Sequence, residues 1–125
     1  MTLEQIRELI DTHVQLIKVD AKAVSEARDR AAKFLTIQAV LSNYLLELDT
    51  DRAKIVTMTE ALYAKAARQS SGKSITEKKL EADEDSDYTD AKIGADTMAA
   101  QVNWVKQYIK IFENAHLMFR QLSRD

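Results

Sequence analysis

The sequence predicts an all-α protein, and three observations predict it. Apolar residues recur at three- and four-residue spacing through most of the 125 positions, proline is absent, and only Gly72 and Gly94 interrupt the helix-forming composition. The one convincing loop signal is Arg68-Gln69-Ser70-Ser71-Gly72-Lys73-Ser74, because glycine reaches left-handed dihedrals and serine bonds the backbone locally. The expected architecture is a single helical domain over 1–125, built as a long helical hairpin. Its parts are a short N-terminal helix, a long helix, a hinge near Gly72 and a long C-terminal helix.

The first element opens on Thr2-Leu3-Glu4-Gln5, a capping-box pattern in which Thr2 caps the first turn and Gln5 reaches back. Leu3, Ile6, Leu9 and Ile10 then share one face. Asp11 is a candidate end of this helix, and Asp20 a candidate N-cap for the next.

From Ala21 a seam runs for more than forty residues: Val24, Ala27, Ala31, Phe34, Gln38, Leu41, Leu45, Leu48, Arg52, Ile55, Thr59, Leu62 and Ala66. Leu35, Ile37, Val40, Tyr44, Val56 and Met58 broaden its apolar face. Unbroken, such a helix is about 70 Å long, so it requires a partner alongside, from its own chain, from a copy or from both. Leu48-Asp49-Thr50-Asp51 contains three poor helix formers, and a cap at Asp49 or Thr50 would give a four-helix bundle instead. The in-phase seam and the lack of glycine or proline there favour continuity.

Beyond the hinge, Thr76 can start a helix through the acidic residues, or those residues form a linker. From Asp90 two stripes are clear. Met98, Val102, Val105, Ile109, Phe112 and Phe119 form one, and Trp104, Tyr108, Ile111, Ala115 and Leu122 the other. Two stripes on one helix imply two neighbours: the long helix, and something else. Trp104, Tyr108, Ile111, Phe112 and Phe119 are therefore the candidate interface of a homo-oligomer.

The balance of 46% apolar and 30% charged residues is that of a folded chain rather than a disordered one. The absence of cysteine excludes disulfides, thiolate metal sites and cysteine nucleophiles, and suits a reducing compartment. No apolar run reaches the ~20 residues of a membrane span, and Met1-Thr2-Leu3-Glu4-Gln5 has no secretory character. A cytoplasmic location with no membrane partner is the expectation.

The net charge of −2 conceals a local asymmetry. Lys65, Arg68, Lys73, Lys78 and Lys79 cluster around the hinge with one acid, Glu77, among them. Glu81, Asp83, Glu84, Asp85, Asp87 and Asp90 follow without a base. The five bases are the candidate nucleic-acid-binding residues, since contacts to phosphate are additive and independent of base sequence.

Material for catalysis is scarce, and no enzyme, cofactor or metal is expected. His13 and His116 each stand without a second ligand at metal spacing, and His116 sits among apolar residues as a packed histidine would. Ser71-Gly72-Lys73-Ser74 carries the end of a phosphate-loop pattern, but its first glycine is missing and its flanks are helical. Asp83-x-Asp85-x-Asp87 imitates a calcium loop until Tyr88 takes the place of the required glycine.

Several short motifs together resemble the UvsY-like phage recombination mediators. They are the opening Met1-Thr2-Leu3-Glu4, the basic turn before Ser71-Gly72, the segment Leu80-Glu81-Ala82-Asp83-Glu84-Asp85, and the amphipathic C-terminal helix bearing Trp104. The resemblance implies a mediator that binds single-stranded DNA and assembles into rings. It also implies a role in DNA recombination and repair, loading a RecA-like recombinase in place of single-strand-binding protein. The location would then be a host cell's cytoplasm. Lys65 and Arg68 match the family's DNA-contacting bases, whereas Gln69 and Ser70 stand where the family carries two tyrosines. The alternative is a small helical adaptor or inhibitor that binds a protein through the acidic segment.

Overall fold

The computed structural model describes residues 1–124 and contains four helices: α1 (Leu3–Lys18), α2 (Val24–Gln69), α3 (Ile75–Glu84) and α4 (Ser86–Leu122). No strand occurs among the described residues. The chain divides into two compact units. One comprises Met1–Leu46 with Asn103–Asp125, the other Glu47–Val102.

The first unit joins α1, the start of α2 and the end of α4. Thr2 opens α1 with a full capping box: the Gln5 amide donates to Thr2 Oγ1 at 3.2 Å, and the Thr2 amide to Gln5 Oε1 at 2.9 Å. The helix runs through Asp11 to Lys18 and buries Ile6 and Ile10. Its C-terminal carbonyls at Leu16 and Val19 accept from the Arg30 guanidinium, which also lies 5.4 Å over the Phe119 ring. Asp20 does not cap α2, which starts four residues later; there the Glu26 carboxylate accepts from the Lys22 amide at 2.7 Å.

Phe34 is the centre of this core. Its ring lies 5.9 Å from Phe112 and 5.4 Å from Phe119, and all three rings are fully or almost fully buried. Gln38, the polar member of the seam, is accommodated because its amide donates to the Phe34 and Phe112 carbonyls, each at 3.3 Å. His116 Nδ1 donates to the Ala31 carbonyl at 2.8 Å, so this histidine ties α4 to α2 as a packed residue.

The second neighbour of α4 is α1 of the same chain. Arg7 lies 5.9 Å over the Trp104 ring, and His13 meets Phe112 edge-on at 6.1 Å.

The second unit holds the rest of α2, all of α3 and the start of α4. The α2 helix crosses Asp49, Thr50 and Asp51 unbroken, with Leu48 buried in phase with the seam. The unit has a thin core: Leu48, Ala82 and Val102 are buried, while Ile55, Thr59, Leu62 and Ala66 of the seam are half-buried. Small residues at Ala91, Ala95 and Ala99 continue the α4 stripe toward its N-terminus.

The acidic segment is neither one helix nor a linker. Asp85 closes α3, its amide donating to the Ala82 carbonyl at 3.2 Å, and its carboxylate accepts from the Tyr88 amide at 3.0 Å to open α4. One residue thus serves both helix ends, and the chain turns twice, at 70–74 and at Asp85.

Candidate nucleic-acid interface

All five candidate bases fall in the second unit and are exposed. Lys65 and Arg68 occupy the last turns of α2, where cations also complement the helix C-terminus. Lys73 lies in the turn, and Lys78 and Lys79 on α3. None of the five is ion-paired among the described residues; the salt bridge present joins Lys110 to Glu113. The same unit carries eight lysines and arginines against twelve aspartates and glutamates, a net of −4. A phosphate therefore meets local positive side chains on an acidic body.

The turn itself is closed to anions because its own carboxylates use its donors. Glu81 accepts from Ser70 Oγ at 2.5 Å, from the Ser71 amide at 3.1 Å and from Ser71 Oγ at 3.4 Å. The Gly72 amide donates to Ser70 Oγ at 3.0 Å and the Lys73 amide to Glu77 Oε2 at 2.8 Å. Ser74 caps α3 by accepting from the Glu77 amide at 3.1 Å. The Ser70 hydroxyl, and after it the Ser71 donors, hold the Glu81 carboxyl below its ordinary value, with desolvation opposing them. Anion capture here is thus a task for side chains, not for backbone N–H groups as in a phosphate loop.

Gly72 is needed for a reason other than its dihedrals, since no glycine has positive φ. A Cβ at Gly72 would lie 2.8 Å from Glu77 Cβ and 3.1 Å from the Lys78 nitrogen. The turn passes so close to the first turn of α3 that no side chain fits.

The expected oligomer interface requires correction. Phe112 and Phe119 are buried in the three-helix unit, and the outer face of Trp104 is occupied by Arg7. Tyr108 is half-buried, 5.3 Å from Trp104 and 6.2 Å from Phe112. Within the second stripe of α4, α1 covers Trp104 through Arg7, while Ile111 and Leu122 stay exposed. Of the five residues only Ile111, 41% accessible, is exposed.

The structure adds two residues that the sequence reading passed over. Tyr63 on α2 and Tyr88 on α4 meet in a T-shaped contact with ring centroids 4.9 Å apart. Together with Thr59, Glu60 and Asp83 they line an open cavity of about 340 Å³. Twenty-five positions separate the two rings in the chain, so no local motif announces the pair.

No three or more His, Cys, Asp or Glu side chains are grouped to hold a metal among the described residues. No helix among them is long and apolar enough to cross a membrane. Comparison of the chain with protein-family models, with curated proteins and with solved structures gives no match.

Proposed function

We propose that the chain is a non-enzymatic recombination mediator of the UvsY-like kind. It binds single-stranded DNA through Lys65, Arg68, Lys73, Lys78 and Lys79 and assists a RecA-like recombinase in replacing single-strand-binding protein. The observation that carries the DNA-binding part is the gathering of five exposed, unpaired cations around one turn of one compact unit. The recombinase and single-strand-binding partners rest on the motif resemblance alone.

Self-association belongs to the proposal because a net-acidic unit with five bases binds a strand weakly unless several copies contribute. Ile111, Met118 and Leu122 are exposed at helical spacing on α4 and take over the contact role expected of the buried phenylalanines.

Fluorescence anisotropy of a labelled single strand tests the reading. The K65E/R68E variant should lose binding while keeping its helical signal and its mass in solution. Unchanged binding in that variant would refute it.

A second reading, an adaptor acting through its acidic segment, is favoured by the excess of acids in the same unit. It requires that the single strand not bind and that neutralising Asp83, Glu84 and Asp87 abolish capture of a protein partner. Asp85 must be left intact in that experiment because it caps two helices.

A further inference from the structure

We infer that the cavity between Tyr63 and Tyr88 is a receptor for an arginine or lysine side chain from a basic segment of a partner protein. Its floor and walls have the two features such a guest needs. The tyrosine rings meet edge to face at 4.9 Å and offer aromatic surface, and Glu60 and Asp83 stand at the same opening with two carboxylates. Neither carboxylate is ion-paired among the described residues. The volume, about 340 Å³, is at the small end of ligand cavities, suited to one extended side chain rather than to a large cofactor.

The surroundings favour a cation over other guests. Glu84, Asp87 and Asp90 follow in sequence, and the unit has a net charge of −4. A nucleobase could also stack on tyrosine, but the phosphates it brings would meet Glu60 and Asp83, so the cavity is a poor base platform. Partial burial, and after it the charge of Asp83, raises the Tyr63 pKa above its ordinary value, so this ring stays a neutral phenol beside the acidic residues.

This inference is independent of the DNA reading, because it uses none of the five bases. The test titrates the full-length protein with a six-residue peptide of alternating arginine and glycine, and with the same peptide carrying citrulline for arginine. Calorimetry and the ring signals of Tyr63 and Tyr88 are the readouts. The arginine peptide should shift both rings and bind at least about fivefold tighter than the citrulline peptide, with E60Q/D83N weakening it about tenfold. Asp87→Asn with Asp90→Asn, outside the cavity, should weaken it less than about threefold. Tyr88→Phe should keep binding and Tyr88→Ala should lose it, the conservative variant guarding against a mere loss of fold.

Equal losses from the two acidic pairs, equal binding of the citrulline peptide, or unmoved ring signals would overturn the assignment. A drop in solution mass in E60Q/D83N would also overturn it, by seating a second copy of this chain in the cavity. Salt-dependent binding of a single strand by E60Q/D83N should persist, which separates failure here from failure of the mediator reading.

Discussion

Replacing Gly94 by alanine should stabilise the protein, and the size of the gain follows from the surroundings. Gly94 lies inside α4, and a Cβ built there meets nothing within 4 Å. No clash opposes the substitution and no new packing rewards it, so the backbone preference alone remains, about 0.8–1.0 kcal/mol in favour of alanine. Unfolding entropy is about 2.1 cal/mol/K per residue, so if all 125 residues melt together this gain raises Tm by about 3–4 °C. If Glu47–Val102 melts as its own unit, the same gain acts on 56 residues and moves that transition by about 7–9 °C, leaving the other in place. Thermal melts followed by circular dichroism at 222 nm separate the two cases. A lowered Tm would refute the reasoning, since it would mean that the position tolerates no side chain.

The other glycine has the opposite sign: Gly72→Ala should cost about 1–3 kcal/mol, seen in denaturant titration, because Glu77 Cβ and the α3 backbone must move aside. Phe34→Ala should cost about 3–5 kcal/mol in the three-helix unit, where it opens a cavity against Phe112 and Phe119. The turn at Ser70 and Ser71 should loosen in acid. The native Glu81 carboxyl is held below its ordinary 4.5, so its contribution is fully present above that pH and is lost as pH falls through the lower native value. Amide exchange at Ser71, corrected for its intrinsic pH dependence, should rise over that acidic range, and Glu81→Gln should abolish the dependence.

Much of the fold was legible because helical periodicity is a property of the sequence alone. The α2 seam from Ala27 to Leu48 is buried or half-buried as spaced, and the helix passes Asp49–Asp51 because neither glycine nor proline interrupts a seam that remains in phase. Of the residues that broaden the seam, Ile37 and Tyr44 are buried and Val40 half-buried, whereas Leu35, Val56 and Met58 stay exposed.

What was misread depends on contacts distant in sequence. The second stripe of α4 suggested an external partner, but α1 sets Arg7 over Trp104 of that stripe and His13 against Phe112 of the first. The acidic run looked uniform, yet its members differ: Glu81 ties the turn, Asp85 caps two helices and Asp83 borders the tyrosine cavity. The basic cluster was legible as charge, but whether its turn could also offer backbone donors was not. That answer came from Glu77 and Glu81 occupying them.

This occupation makes the salt dependence of strand binding a direct count of the side chains at work. Each phosphate neutralised on a single strand contributes a slope of about −0.7 in log K against log salt. All five bases acting in one chain give a limit near −3.5, whereas Lys65 and Arg68 alone give about −1.4. Those two lie one helical turn apart, within the ~8 Å screening length at physiological salt, so they act as a pair. Lys73, Lys78 and Lys79 are interleaved with Glu77 and Glu81, whose charges offset theirs at the same range. The expected slope per bound chain is therefore closer to −1.4 than to −3.5, and K65E/R68E should bring it near zero. A slope that stays steep in that variant would refute the reading, because Lys65 and Arg68 would then contribute nothing to the interface.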